Sequence, residues 1–452
     1  MNKKSAEMNM TEGPIAKQIV TFAVPLFLGN LFQQLYNTAD TFVVGNLLGD
    51  NALAGVSSSG SLIFLLVGFF SGIAMGAGVV IARLFGAGDV KNMRKAIHTS
   101  LVAFFAAGVI FSVIGAFGSR YMLMWMRTPP EVMPESVAYV RMYFAGLFTM
   151  VTYNICMGIM QAVGDSKHPL YYLIISSVIN VILDYFFIGV LKMGVAAAAV
   201  ATVISQMISV ILCLIRLLRS KESYRVSVRE LKIDWNILGT IIRYGLPSGI
   251  QNSVISIANG VVQSNINAFG PDAMAGCGAY SKIEGFAFLP VTCFSAAMTT
   301  FVSQNLGAGN SERARKGARF GVITAILIAE GIGGLIMLFA RPLIDAFTES
   351  ETALAFGVDK ARVCCGFFIL CALCHCLAAV LRGAGRAMVP MVAMLACWCV
   401  IRVSILVVLV PILNTIAIVN WVYPITWFMC ATVLTVYFFA VDWTRLPGKR
   451  KI

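Results

Sequence analysis

Charged residues are scarce in this 452-residue chain. They make up 12% of it, whereas 59% of its residues are hydrophobic. A soluble globular chain carries about 25% charged and about 45–50% apolar residues, so a water-soluble fold is excluded. Histidine is scarce too, with three copies. The sequence contains neither a paired His/Glu metal motif nor a Ser/His set, which argues against a membrane-embedded enzyme.

Long apolar stretches recur along almost the whole chain. Ile97–Gly118, Leu170–Leu191 and Ala387–Pro411 are examples, and each exceeds the roughly 20 residues that a helix needs to cross a bilayer. The first apolar stretch of the chain follows a polar start and runs past Val44 without a cleavage site, so we interpret it as an uncleaved span. The sequence predicts an all-α integral membrane protein of twelve transmembrane helices.

The chain has 12 cysteines, nearly all inside apolar stretches, where cysteine behaves as a small hydrophobic residue. Cys371–His375 has the spelling of a c-type haem attachment site. The motif lies in the middle of a predicted span, where no haem could be attached from outside. We therefore interpret it as structural and expect no cofactor or metal centre beyond a coupling ion.

The sequence repeats itself at a spacing that stays constant apart from one single-residue gap. The matching positions include Pro25 and Pro247, Arg141 and Arg362, Gly164 and Gly385, and Pro169 and Pro390. This pattern indicates an internal duplication, with an amino-terminal six-helix lobe at 14–218, a linker at 219–235 and a carboxy-terminal six-helix lobe at 236–442. Six spans per half is an even number, so both halves have the same orientation and the repeat axis runs along the membrane normal.

The net charge of +13 comes from lysines and arginines in short loops on one side of the predicted spans. Loop bases face the cytoplasm and set the orientation of a membrane protein. We expect a multi-pass protein of the bacterial inner membrane with both termini cytoplasmic. We expect a monomer with no nucleic-acid partner.

Polar residues in the first span mark a candidate site. Gln33, Asn37 and Asp40 are spaced by four and three residues and share one helical face, and Tyr36 lies beside them. A charge at the bilayer centre costs roughly 2.5–3.5 kcal/mol on insertion scales, so such residues usually serve a pathway or a partner. The alternative is that Asp40 caps a neighbouring helix or lies near the outer interface.

Asn180 and Asp184 share a face of the fifth span. A carboxylate beside a carboxamide can ligate a hard cation or hold a proton, and Thr202 in the sixth span could add a hydroxyl. We assign these three residues and Asp40 to cation coupling, with Asp40, Asn180 and Asp184 able to hold a sodium ion. The alternative places Asp184 near the outer end, where water solvates it.

The second half differs in its ionisable residues. Val262 (or Val261) and Ile405 stand at the repeat positions of Asp40 and Asp184, while Asn259 and Gln263 are polar without titrating. Glu284, Glu330 and Arg402 are charges inside predicted spans, and either pair structurally or contact substrate. The candidate substrate cavity comprises Gln33, Tyr36, Asn37, Asn259, Gln263, Glu284, Glu330 and Arg402.

Taken together, these motifs resemble the multidrug and toxic compound extrusion (MATE) family over nearly the whole chain. The resemblance rests on Pro25, Gln33, Asn37, Asp40 and Gly45, and on Gly86–Gly88, Gln161–Asp165 and Gln304–Gly309, which close the second, fourth and eighth spans. It implies a V-shaped pair of lobes around a central cavity. It also implies export of cationic, often aromatic compounds, driven by inward flow of protons or sodium ions.

The resemblance also implies roles for particular residues. Asp40 matches the family's first-helix acid, and Asn180 and Asp184 match a pair that joins it in DinF-like members. Ile255 stands where NorM-like members have a glutamate, so a sodium site in the carboxy-terminal lobe is not implied.

We therefore expect a secondary antiporter that exports organic cations or drugs by alternating access. One rival is a lipid-linked precursor flippase of the same superfamily, which would present a basic cavity, but Arg243, Lys282 and Arg402 are few bases for that. The other rivals are a membrane-embedded enzyme and a channel. The two-lobe repeat with interior acids favours alternating access over a channel.

Overall fold

A computed structural model of the chain describes residues 8–48, 50–126, 128–348 and 350–445. The side chains of residues 39–59 and 61 lie outside this description. Within the described residues, all regular secondary structure is helical.

The α-helices are α1 (Ile15–Leu48), α2 (Asp50–Gly86), α3 (Val90–Trp125), α4 (Met133–Ala145), α5 (Leu147–Ala162), α6 (Lys167–Asp184), α7 (Ala196–Arg219), α8 (Trp235–Asn267), α9 (Pro271–Ala287), α10 (Leu289–Gly307), α11 (Ser311–Leu338), α12 (Ala340–Asp345), α13 (Glu351–Cys365), α14 (Phe368–Gly383), α15 (Met388–Met394), α16 (Arg402–Leu413) and α17 (Ala417–Ala440). Two π-helical segments interrupt this order, Tyr185–Val190 after α6 and Leu395–Ile401 between α15 and α16.

Twelve membrane spans follow from these helices. In the described residues, nine candidate spans are long and apolar enough to cross a membrane, and two bent pairs, α4 with α5 (46°) and α13 with α14 (54°), raise the number to eleven. The twelfth is α8, whose 33 residues reach about 50 Å at 1.5 Å per residue. Its apolar character is diluted by amide side chains such as Gln251, Asn259 and Gln263. The predicted twelve-helix membrane fold is confirmed.

The duplication is visible in the backbone where α2 and α10 end. Gly88 and Gly309 occupy matching positions of the repeat, with φ of 68° and 75°, a left-handed conformation that favours glycine. The next residues, Asp89 and Asn310, cap α3 and α11 by accepting hydrogen bonds from the backbone N–H groups of Asn92 and Arg313, both at 3.1 Å. A short acceptor side chain at this position satisfies an otherwise unpaired helix donor. Both turns therefore use the same chemistry.

The chain divides into two compact units by its internal contacts. Unit 1 contains Leu28–Gly249 and the described residues before Met10, and unit 2 contains Met10–Phe27 and the chain from Ile250 onward. The sequence suggested a boundary in the linker at 219–235, whereas these units divide within α1 and α8.

Glycines explain why the first part of α8 belongs to unit 1. A Cβ on Gly76 of α2 would collide with the backbone of Gly245 of α8, and one on Gly249 would lie 2.8 Å from the Phe69 carbonyl oxygen. Small residues allow membrane helices to approach this closely. The α2–α8 crossing thus fixes the start of α8 within unit 1.

The linker between α7 and α8 is folded onto α3. The backbone N–H of Ser227 donates to His98 Nε2 at 3.0 Å, and the other ring nitrogen lies 2.7 Å from the Arg94 carbonyl oxygen. The N–H of Asp234 donates to Thr99 Oγ1 at 3.0 Å, and Tyr224 is fully buried. The linker is therefore a packed part of unit 1.

Candidate functional sites in the two units

The polar face of α1 belongs to unit 1. Gln33 and Asn37 are exposed and Tyr36 is partly buried, and both Tyr36 and Asn37 have interaction partners. Asp40 lies on α1, but its side chain is outside the described residues, so its coupling role stays a prediction.

Asn180 and Asp184 lie one turn apart on α6 and are both buried, with 2% and 0% of their surface exposed. The carboxylate is therefore not the solvated group that the alternative interpretation required. Within the described residues, the side-chain amide of Asn180 has no hydrogen-bond partner. A buried polar group without a partner is costly, so the pair has the character of a binding site.

The backbone changes form at this pair. Asp184 is the last residue of α6, and the same helix continues as the π-helical segment Tyr185–Val190. Such wide turns occur frequently at functional sites. The neighbouring helix α7 packs against α6, and its Thr202 donates a hydroxyl to the Ala198 carbonyl oxygen at 3.0 Å. The lone pairs of that hydroxyl oxygen remain able to accept.

In unit 2, the C-terminal part of α8 presents an amide face. Asn259, Gln263 and Asn267 are exposed and spaced by four residues, so they share one face of the helix. Gln263 Nε2 donates to Asn267 Oδ1 at 2.8 Å. Asn259 stands at the repeat position of Asn37, so α1 and α8 have kept a carboxamide at the same place.

Glu330 of α11 is used as a helix cap. Its Oε2 accepts a hydrogen bond from the backbone N–H of Ile369 at 3.1 Å, in the first turn of α14. The first N–H groups of a helix have no partner within it, and a negative charge there is stabilising. Glu330 therefore stabilises the bend between α13 and α14.

Arg402 is buried at the start of α16, with 2% of its surface exposed. Its Nε and Nη2 atoms donate to Thr426 Oγ1 at 3.2 and 2.9 Å. Its guanidinium carbon lies 4.5 Å from the ring centroid of Tyr423 and 5.5 Å from that of Trp398. The guanidinium thus packs between aromatic rings and a hydroxyl.

Lys360 of α13 is a second buried cation, and the sequence analysis missed it. Its surface is 3% exposed, and its Nζ lies 5.6 Å and 5.5 Å from the ring centroids of Tyr280 and Tyr423. The apolar pattern of the sequence predicts the tenth span near residues 357–381, which puts Lys360 at the margin of that span. Because α13 starts at Glu351, Lys360 instead lies roughly 14 Å along the helix at 1.5 Å per residue.

Glu284 is linked to these cations through Tyr280, because its Oε1 accepts a hydrogen bond from the Tyr280 hydroxyl at 3.2 Å and the Tyr280 ring packs against Lys360. In the described part of the chain, no ion pair within 4.0 Å joins Lys360 or Arg402 to an acid. We call Tyr280, Glu284, Lys360, Arg402 and Tyr423 the cationic cluster.

The haem-like motif belongs to the packing of unit 2. Cys371 and Cys374 are buried, and Cys374 Sγ donates to the Trp427 carbonyl oxygen at 3.4 Å. The His375 ring packs against those of Phe288 and Trp398, with centroids 5.4 and 5.5 Å apart. The cysteines and the histidine of the motif therefore take part in helix packing.

A duplicated set of six membrane helices, with ionisable side chains buried inside each unit, is typical of membrane transporters. The model of the MatE family matches residues 25–186 and again residues 247–408. These two matches are equal in length, and together they cover most of the chain. The chain belongs to the MatE family, as the resemblance predicted.

The chain matches named relatives over most of the length of both proteins. The chain is 29% identical to the probable multidrug resistance protein YpnP of Bacillus subtilis, over 87% of this chain and 88% of that protein. It is 28% identical to the probable multidrug resistance protein YoeA of the same organism, over 83% of each. An outward-facing structure of a multidrug resistance MATE transporter matches with a TM-score of 0.90 at 24% identity, over 97% and 98% of the two chains; this likeness bears on the fold.

Proposed function

We propose that the chain is a secondary active antiporter that exports organic cations or drugs in exchange for H⁺ or Na⁺. The observation that supports this most is the fully buried Asp184 beside Asn180 in unit 1. Relatives that are named multidrug resistance proteins support the substrate class. No covalent step is required of the chain.

The coupling ion occupies Asp184 and Asn180 in this proposal, together with Asp40 and the hydroxyl of Thr202. Burying an ionised carboxylate is costly, and binding a proton or a cation reduces that cost. The ion drives transport because it binds one conformation of the protein better than the other. The π-helical segment that follows Asp184 is the irregular element that such binding would rearrange.

The substrate contacts lie on the polar helix faces of each unit. In unit 1 they are Gln33, Tyr36 and Asn37, and in unit 2 they are Asn259 and Gln263. Amides and phenols can donate to or accept from varied ligands, which suits a transporter of chemically diverse drugs.

Purified protein in liposomes should move a fluorescent organic cation several-fold faster when a proton or sodium gradient is imposed than when it is collapsed. The two gradients are applied separately, with ionophores as controls, so the coupling ion is read directly. Dye movement that is equally fast after both gradients are collapsed would instead identify a channel or a passive carrier.

The bacterial inner membrane and cytoplasmic termini also remain part of the proposal. A reporter fused after Lys451 and a reporter inserted in the linker at 219–235 should both report the cytoplasm, since the basic loops fall on that side. One periplasmic signal would overturn the orientation. We propose that the functional form is a monomer.

A further inference from the structure

We propose that the cationic cluster of unit 2 binds the acidic group of a transported compound. The ligand would be an aromatic compound with a carboxylate or phosphate, including zwitterions that also contain a cationic group. The inference rests on the proposed transport function and extends its substrate class from organic cations to compounds with an anionic group.

The charges of the cluster are unbalanced. Two cations, Lys360 and Arg402, are 3% and 2% exposed, while Glu284 is the one acid of the cluster and accepts from the Tyr280 hydroxyl. Ionisable groups inside a membrane protein usually pair with one another or mark a substrate pathway. With two cations and one acid, a ligand carboxylate or phosphate would supply the missing negative charge.

Both cations have hydrogen-bond donors to spare. An ammonium has three donors and a guanidinium five. In the described residues, no hydrogen bond from Lys360 is present, and Arg402 directs Nε and Nη2 at one oxygen, Thr426 Oγ1. The remaining donors suit the two or three oxygens of a carboxylate or phosphate.

One aromatic ring joins the two cations. The Tyr423 ring centroid lies 4.5 Å from the Arg402 guanidinium carbon and 5.5 Å from Lys360 Nζ, so both charges can act on one ligand. The Trp398 ring lies 5.5 Å from the Arg402 guanidinium carbon, and the Tyr280 ring lies 5.6 Å from Lys360 Nζ. Rings around a cation hold it by cation–π attraction and can also stack on an aromatic substrate.

The repeat places one member of the cluster, Arg402, close to the position that Asn180 occupies in unit 1. A π-helical turn takes one more residue than an α-helical turn. After the π-helical segment Leu395–Ile401, matching positions of the two halves are therefore one residue further apart in sequence than Pro169 and Pro390 are. Arg402 and Leu406 then correspond to Asn180 and Asp184, and their exposures agree, at 2% and 0% in each unit. In this register Leu406, one residue after the predicted Ile405, is the counterpart of Asp184. The duplicated position therefore suits a cation in unit 1 and an anion in unit 2.

The test uses a xanthene dye with a free carboxylate and the methyl ester of the same dye. Lys360→Met and Arg402→Met should each weaken equilibrium binding of the free acid about tenfold or more, as loss of a charge-assisted hydrogen bond predicts, and leave the ester within about twofold. Lys282→Met is the matched control, since Lys282 is exposed and packs over Phe347 at 5.7 Å. It should change neither dye.

One further variant, Lys360→Arg, keeps the outcome decisive. Lys360→Arg retains the charge and should retain the preference for the acid, which separates charge from folding if the Met variants are unstable. Equal losses for acid and ester, or no loss for either in well-folded Met variants, would overturn the anion site. Because binding is measured without a gradient, failure of wild-type protein to transport either dye would count against the antiporter and leave the binding result standing.

Discussion

Asp184→Asn should reduce gradient-driven export to the level of protein-free liposomes. The carboxylate is fully buried and its neighbour Asn180 has an amide without a hydrogen-bond partner in the described residues. An amide keeps the size of the side chain but cannot take up a proton or balance the charge of a sodium ion. The coupling ion then has no group to bind, and its gradient cannot drive export. The measurement is dye efflux from proteoliposomes at matched protein content, with membrane abundance of the variant checked by blotting.

The matched control is Glu330→Gln in unit 2. That acid accepts a hydrogen bond from the Ile369 N–H, and an amide oxygen can still accept it, so the variant should keep most of its efflux. Comparing the same acid-to-amide exchange at the two positions therefore distinguishes a carboxylate that couples ion flow to export from one that stabilises the fold. Full activity in Asp184→Asn together with an inactive Glu330→Gln would place coupling in the second half and contradict the proposed mechanism.

Asp40→Asn should show the same loss as Asp184→Asn if both acids load one ion. Val262 stands at the repeat position of Asp40, and Ile405 or, in the shifted register, Leu406 stands at that of Asp184. None of these side chains can bind an ion. Coupling in this interpretation is asymmetric, although the two halves arose by duplication.

The features that the sequence predicts well are those encoded locally. Runs of apolar residues predict spans, and the repeated Gly88 and Gly309 turns preserve their left-handed backbone because few other residues tolerate it.

The features that were missed depend on tertiary packing. Lys360 becomes a buried cation because α13 starts at Glu351, six residues before the start of the span predicted near 357. The aromatic neighbours of Lys360 come from α9 and α17. The capping role of Glu330 depends on the bend before α14, which residue spacing does not reveal. The shift at Arg402 depends on a π-helical turn, which sequence periodicity did not resolve.

The helices α9 and α13 cross at two glycines, and this crossing positions Tyr280 and Lys360 of the cationic cluster. A Cβ on Gly276 would collide with the Ala353 carbonyl oxygen, and one on Gly357 would lie 2.7 Å from the Gly276 carbonyl oxygen. Tyr280 lies one turn after Gly276, and Lys360 lies three residues after Gly357. The distance between these two side chains therefore depends on how closely the helices approach.

Gly276→Ala should destabilise the protein by about 1–3 kcal/mol, the usual cost of forcing extra volume into a packed core, because backbone atoms cannot move aside as a flexible side chain would. Gly278→Ala is the matched control on the same helix, since a Cβ there meets nothing within 4 Å. Thermal unfolding in detergent, followed with a dye that reacts with the buried cysteines, should show a lower midpoint for Gly276→Ala alone. Equal midpoints for wild type and Gly276→Ala would show that the crossing is looser than its geometry implies.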